Sequence, residues 1–210
     1  MAVVGLAVAA SAAGAGGTDP APTFAEVVRR LEAVNPTLRT LIVEQDADVR
    51  VLGIFRFILR TTVYAARPAV YRVVVHEAPA ALRSLGNTFQ LVSSPQQVLA
   101  DYRASGVRWA DQQTLEVELE ALRPAVNPPS VTALIDARRW LVLEATLRYA
   151  WGPLQVRYHY AEIEGYLLPD AARASIPTLF PVTASLSYRN YRLNVPLPPD
   201  IVSGPPSTAP

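Results

Sequence analysis

"RRWLVLEATLRYAWGPLQVRYHY", residues 138–160, decides what kind of fold this chain adopts. From Leu141 the odd positions are Leu141, Leu143, Ala145, Leu147 and Tyr149, and the even ones are Val142, Glu144, Thr146 and Arg148. After Trp151-Gly152-Pro153 the apolar set moves to the even positions: Leu154, Val156, Tyr158 and Tyr160. Side chains on a strand alternate between faces, so two such runs joined by a Gly-Pro turn predict a hairpin with one dry and one wet face. The dry face belongs either to a filled core or to a cavity that holds a ligand. Alternation alone does not separate the two.

The same pattern recurs along the chain. In residues 38–51, Leu41, Val43, Ala47, Val49 and Val51 share one face, against Glu44, Asp46, Asp48 and Arg50. In 54–63, Phe55, Phe57, Leu59 and Val63 oppose Arg56, Arg60 and Thr62. Tyr71, Val73 and Val75 fall together, as do Leu115, Val117 and Leu119 against Glu116, Glu118 and Glu120. Val182, Ala184, Leu186 and Tyr188 alternate with Thr183, Ser185, Ser187 and Arg189. Many half-wet strands with short turns predict a mainly β (α+β) chain, one strongly curved antiparallel sheet or barrel rather than a parallel α/β fold.

Two segments read as helix. Thr23 with Glu26 three residues on makes a capping box, Phe24, Val27, Val28, Leu31 and Val34 recur at helical spacing, and Asn35-Pro36 stops the run. A helix this short needs an apolar surface to lie on. In "SPQQVLADYRASG", Ser94 is the N-cap, Pro95 the first helical residue, Gln97 closes the box and Gly106 lies just past the end. A strand pair through "VLADYR" is the competing reading.

Residues 1–17 carry a short apolar run followed by Ala13-Gly14-Ala15, an A-x-A cleavage pattern. They are expected to be a secretory signal peptide with the mature N-terminus near Gly16; a disordered Ala/Gly tail is the alternative. The rest of the chain has no apolar run of membrane-spanning length. Its Pro-rich end has little to bury beyond Val195 and Leu197, so residues 203–210 are expected to be disordered.

Composition closes several routes. At 210 residues the chain fits one domain, and a net charge of +1 argues against a nucleic-acid surface. Cysteine is absent, which excludes disulfides, thiolate metal sites, cysteine nucleophiles and a lipidated N-terminal cysteine. His76 and His159 stand apart without metal-ligand spacing, and no nucleophile elbow, P-loop or dinucleotide fingerprint is present. Glu116, Glu118 and Glu120 repel one another at this spacing and fit a solvated face better than acid–base work. No catalytic residue, metal or cofactor is expected.

Four short motifs carry a resemblance: Arg67-Pro68 before a strand in "ARPAVYR", Asp136-x-x-x-Trp140 in "IDARRWLVLEATLRY", Gly165-x-x-x-Pro169 in "EIEGYLLP", and the closing Tyr191-x-x-Asn194 in "YRNYRLNVPLPPDI". With the capped helix and the long alternating strands, residues 23–202 resemble the LolA/LolB-like family of bacterial envelope proteins. The stretch "ALRSLGNTFQLVSS" (81–94) departs from the family pattern, and the missing cysteine puts the lipidated acceptor role in doubt. The resemblance implies an unclosed half-barrel over 18–202, covered by short helices, whose apolar cavity holds lipid or lipoprotein acyl chains. It implies a soluble monomer exported to the periplasm or envelope, with a membrane-protein donor or acceptor as possible partner. An envelope-stress sensor on the same fold is the alternative. The ligand-facing surface would be built from Leu41, Val43, Phe55, Phe57, Leu59, Tyr71, Val73, Val75, Leu115, Val117, Leu119, Leu141, Leu143, Leu147, Leu154, Val156, Leu186 and Tyr188. Phe24, Val27, Val28, Leu31 and Val34 would form a lid.

Overall fold

The computed structural model describes residues 20–67, 70–78, 95–179 and 181–203. The expected signal peptide, the 81–94 stretch with Ser94, and residues 204–210 of the tail lie outside the described residues. The elements run α1 (Phe24–Glu32), β1 (Thr40–Val51), β2 (Phe55–Ala66), β3 (Val70–Glu77), α2 (Pro95–Asp101), β4 (Tyr102–Trp109) and β5 (Thr114–Ala121). They continue with β6 (Ser130–Asp136), β7 (Leu141–Tyr149), β8 (Gly152–Ile163), β9 (Tyr166–Ile176), β10 (Val182–Leu193) and α3 (Pro199–Ser203). No helix among the described residues is long and apolar enough to cross a membrane.

All ten strands form one antiparallel sheet in the order β3-β2-β1-β10-β9-β8-β7-β6-β5-β4. Its edges β3 and β4 do not pair with each other, so the sheet stays open. It must nevertheless curl. Val63 on β2 and Val117 on β5 line one cavity although seven strands apart in the sheet, roughly 34 Å if it were flat. Two features allow the bend. The pairings β1–β10, β2–β3, β4–β5, β6–β7 and β8–β9 each contain a register shift, and bulges bend and twist a strand. Small residues, Ala47, Ala172, Ala174 and Ala184, also occupy the inner face where the main core cluster packs. The result is the mainly β, unclosed half-barrel.

The hairpin of residues 141–163 forms with Tyr149 opposite Gly152 and Leu147 opposite Leu154. Gly152 takes a φ of +133°, which favours glycine, and Trp151 stacks on Tyr149 at 4.6 Å between ring centroids. One feature departs from simple alternation. Val142 pairs with Ile135 and Glu144 with Leu134, so Leu143 is the extra residue of a bulge. On β7 the inward row therefore passes from Leu147 and Ala145 to Val142 rather than Leu143, and Leu141 at the start of the strand is buried as well.

The helix expected to run from Pro95 up to Gly106 ends at Asp101. Tyr102 onward is strand, because Tyr102–Trp109 pairs with Leu115–Ala121 along its length. Backbone pairing to a neighbouring strand overrides the local cap-to-Gly pattern. Helix α1 also stops early, at Glu32 rather than Val34. Thr23 caps it by accepting the Glu26 N–H at 3.3 Å, but the Glu26 carboxylate turns to Arg30 (2.9 Å) instead of closing the box. Helix α3 follows β10 with Ile201 buried, and Ser203 is the one residue of the 203–210 tail that is described.

On the outer face the acidic row of β5 is neutralised from β4. Arg108 bonds Glu116 and Glu118, and Arg103 bonds Glu120. These exposed pairs contribute little stability but keep the outer face wet.

Candidate ligand-binding cavity

A cavity of about 910 Å³ lies between the concave face and α1. That is at the upper end of the range for small-molecule pockets, about 300–1,000 Å³. Its walls come from α1 and from strands across the sheet, including Val43 and Val63 on one side and Ala133, Val142 and Ala145 on the other. Of the expected ligand-facing residues, Leu41, Val43, Tyr71, Val117, Leu119, Leu141, Leu147 and Tyr188 line it.

The others divide by where the curl closes. Leu59, Leu154, Val156 and Leu186 are packed in the main cluster, with Phe57 and Val75 against it. Leu115 is buried in a second cluster with Val27, Val117, Leu119 and Ile135. Val73 stands opposite Val63 on the edge strand and is half-buried without lining the cavity. Leu143, the bulge residue, does not line it either. Phe55 sits beside the 52–54 turn and is 57% exposed, beyond the end of the core. All five residues of the expected lid, Phe24, Val27, Val28, Leu31 and Val34, line the cavity.

Several lining residues escape the alternation. Gln45 occupies the odd position on β1 that looks like a gap in the apolar series, yet it is 6% exposed. Val131, Ala133 and Ile135 come from β6, where both faces carry apolar side chains and the period is blurred. Leu167 and Leu168 open β9, whose core residues Ala172 and Ala174 give a weak hydrophobic signal.

Tyrosines recur along the wall, Tyr160 and Tyr191 toward the Gly165 turn and Tyr102 at the opposite end of the sheet. The hydroxyl of Tyr160 donates to the Val142 carbonyl at 2.9 Å, that of Tyr102 to the Pro128 carbonyl at 2.9 Å, and that of Tyr191 to the Pro169 carbonyl. Burial pushes the Tyr188 hydroxyl up to about 12. Burial, with smaller pushes from neighbouring groups, also holds Tyr158, Tyr160 and Tyr191 above the ordinary 10. These groups stay neutral in ordinary buffers, so the wall they form is uncharged. Among the described residues the charged ones that line the cavity are Glu32, Arg39 and Arg67, all near the junction of α1 with β1 and the end of β2.

The four short motifs of the sequence gather at that same end of the sheet. Arg67 donates to the Glu32 carbonyl at the end of α1 (3.0 Å). Asp136 Oδ1 accepts the N–H groups of Arg138 (2.9 Å) and Arg139 (3.1 Å), and Trp140 follows with a φ of 55°. Arg30 then lies 4.6 Å over the Trp140 ring. Glu164 and Gly165, both at positive φ, make the two-residue turn between Ile163 and Tyr166. Asn194 accepts the Arg39 N–H at 2.7 Å and donates to the Tyr166 hydroxyl at 2.8 Å.

The Asp136 turn is testable by pH. Burial opposes ionisation, but the Arg139 side chain and the two backbone N–H groups outweigh it and hold the carboxyl below its ordinary 3.8. A depressed carboxylate stabilises the fold above its unfolded pKa and loses that contribution as pH falls through the folded one. Asp136→Asn is therefore expected to cost about 1–2 kcal/mol near neutral pH. The gap to wild type should close under strongly acidic conditions. Urea melts across that range check it; a gap independent of pH would contradict it.

His76 bonds Thr62 (2.7 Å) and His159 bonds Asp170 (2.6 Å). Among the described residues no group of three His, Cys, Asp or Glu could hold a metal ion.

No family model and no curated protein matches the sequence. Solved structures do match in three dimensions. A LolA superfamily protein from Nitrosomonas europaea superposes with a TM-score of 0.67 at 14% identity, over 86% of this chain and 97% of that one. The chain has the LolA-like fold. An outer membrane lipoprotein-sorting protein domain from Vibrio parahaemolyticus gives a TM-score of 0.59 at 8% identity, over 84% of this chain and 94% of that one. A DUF1329 family protein from Desulfovibrio piger gives 0.58 at 13% identity, over 83% and 93%. At these identities the likeness describes the LolA-like sheet and helices, not a shared set of side chains.

Proposed function

We propose that this chain is a soluble carrier of the cell envelope that holds acyl chains of a lipid or lipoprotein in the cavity beneath α1. The observation that carries the reading is the cavity itself: about 910 Å³ between an apolar sheet face and an amphipathic helix, in the LolA-like fold. Each buried methylene contributes about 0.8 kcal/mol and needs no polar partner, so such a wall suits an alkyl chain. The lipoprotein-sorting domain of the same fold supports the envelope as the place of action. The eight expected sheet residues that line the cavity and the five of α1 are among the proposed contacts, and the uncharged wall leaves a charged head group to the Arg39 and Arg67 end.

The test is native mass spectrometry of the full chain purified from envelope fractions, followed by transfer of the extracted ligand to vesicles. Bound acyl lipid or lipoprotein that is released to acceptor vesicles is the expected result. An empty protein that forms a stable complex with an integral membrane protein would replace the carrier reading with that of a sensor. Acyl-chain binding should also raise the melting temperature in proportion to the logarithm of ligand concentration, because only the folded state has the cavity.

A further inference from the structure

Within the apolar cavity two polar side chains face each other without partners. Gln45 on β1 stands directly across from Tyr188 on β10, and both line the cavity. The backbone carbonyl of Gln45 accepts the Thr61 hydroxyl at 3.4 Å, but its side-chain amide makes no hydrogen bond, and neither does the Tyr188 hydroxyl. Among the described residues no fully buried side-chain nitrogen or oxygen lacks a partner. The amide of Gln45, a residue 94% buried, therefore keeps open surface, and the space it lines is the cavity.

We propose that Gln45 and Tyr188 form a polar clasp on the cavity wall that selects amphiphiles carrying a neutral hydrogen-bonding group within their apolar part. A hydroxyl on the chain, or the carbonyl of an ester or amide linkage, would fit. The proposal rests on the acyl-chain reading and names its ligand more closely. A plain alkyl chain seated across the pair strips water from an amide and a hydroxyl and returns nothing, whereas a hydroxyl or carbonyl restores the bonds. The amide offers donors and an acceptor, and the phenol offers one donor and an acceptor, so both ligand groups are accommodated. A charged group is not what the clasp meets. Glu32, Arg39 and Arg67 lie at the far end of β1, and Gln45 is five residues along from Thr40, roughly 17 Å of strand.

The experiment displaces N-phenyl-1-naphthylamine from the full chain with three competitors of equal chain length: octadecanoic acid, a mid-chain hydroxyoctadecanoic acid and glyceryl monooctadecanoate. At least one substituted competitor is expected to act at roughly tenfold lower concentration than octadecanoic acid. The hydroxy acid and the glyceride distinguish a chain hydroxyl from a linkage carbonyl. That preference should fall to about one in Gln45→Leu, with octadecanoic acid itself gaining affinity, and should also fall in Tyr188→Phe, which removes a single oxygen. Equal potency of all three on wild type overturns the clasp and leaves the acyl-chain reading standing. A preference unchanged in both variants overturns it too. If no competitor displaces the probe from wild type, the acyl-chain reading fails and the clasp fails with it.

Discussion

Ala145→Phe is expected to weaken acyl-chain binding about a hundredfold while the protein still melts cooperatively. Ala145 lies on β7 between Ala133 of β6 and Val156 of β8, lines the cavity and rests against the main core cluster. A phenyl ring there has open space to enter, so the fold loses at most the usual cost of overpacking, about 1–3 kcal/mol. The ring would displace roughly three to four ligand methylenes at about 0.8 kcal/mol each, and about 2.7 kcal/mol is a hundredfold in affinity. The neighbouring Thr146, which alternation turns to the other face of the sheet, supplies the control: Thr146→Val should bind as wild type does. Titration of a fluorescent acyl probe into the three proteins decides the matter. A folded Ala145→Phe that binds normally would mean that acyl chains do not enter this cavity.

The contrast between Ala145 and Leu143 shows how far the sequence could be read. Where a strand has one wet and one dry face, alternation identified the faces. On β5 Leu115, Val117 and Leu119 are buried while the glutamates between them meet arginines, and on β10 Ala184 and Leu186 are buried between exposed serines. Bulges defeat the method, because an inserted residue such as Leu143 reverses parity without changing composition. A polar residue on the dry face defeats it too. Gln45 looks like an interruption of the apolar series and is instead one of its functional candidates. Nor could hydropathy divide core from cavity. On β8 Leu154 and Val156 are filled core, whereas Tyr158 and Tyr160, on the same face, line the cavity. The question raised by the hairpin has both answers, because curvature closes the sheet at one end and leaves room beneath α1 at the other. That curvature depends on register shifts between paired strands, including β1 with β10 from opposite ends of the chain, and alternation along a single strand does not record them. The turn motifs were more legible. Asp136, Trp140, Gly165 and Asn194 each have a local conformational task, and such tasks leave short signatures.

The double substitution Phe24→Ala with Leu31→Ala is expected to destabilise the ligand-free protein by about 4 kcal/mol, roughly 2 kcal/mol for each half-buried side chain. It should also make acyl-chain uptake easier. Both residues lie on the face of α1 that meets the cavity, alongside Val27, which is 1% exposed and packs with Leu115, Val117, Leu119 and Ile135. The polar ties described between α1 and the sheet gather at its C-terminal end: Arg30 over Trp140, the Glu32 carbonyl to Arg67, and Asn35, whose amide exchanges two hydrogen bonds with the Leu167 backbone at 2.9 and 3.1 Å. Such a helix can swing about residues 33–38 while staying attached. If it does, lid contacts and ligand contacts compete for the same apolar surface, and the empty protein is held shut by the contacts a ligand must replace. Removing two of them lowers the stability of the closed empty state and the work of opening it together. Thermal unfolding with and without a fluorescent acyl probe separates this from a helix that is fixed core. A lid predicts a larger stabilisation by the probe in the double variant than in wild type, because the ligand fills what the side chains vacated. A core helix predicts that stability and probe binding are lost together, and that outcome would end the lid model.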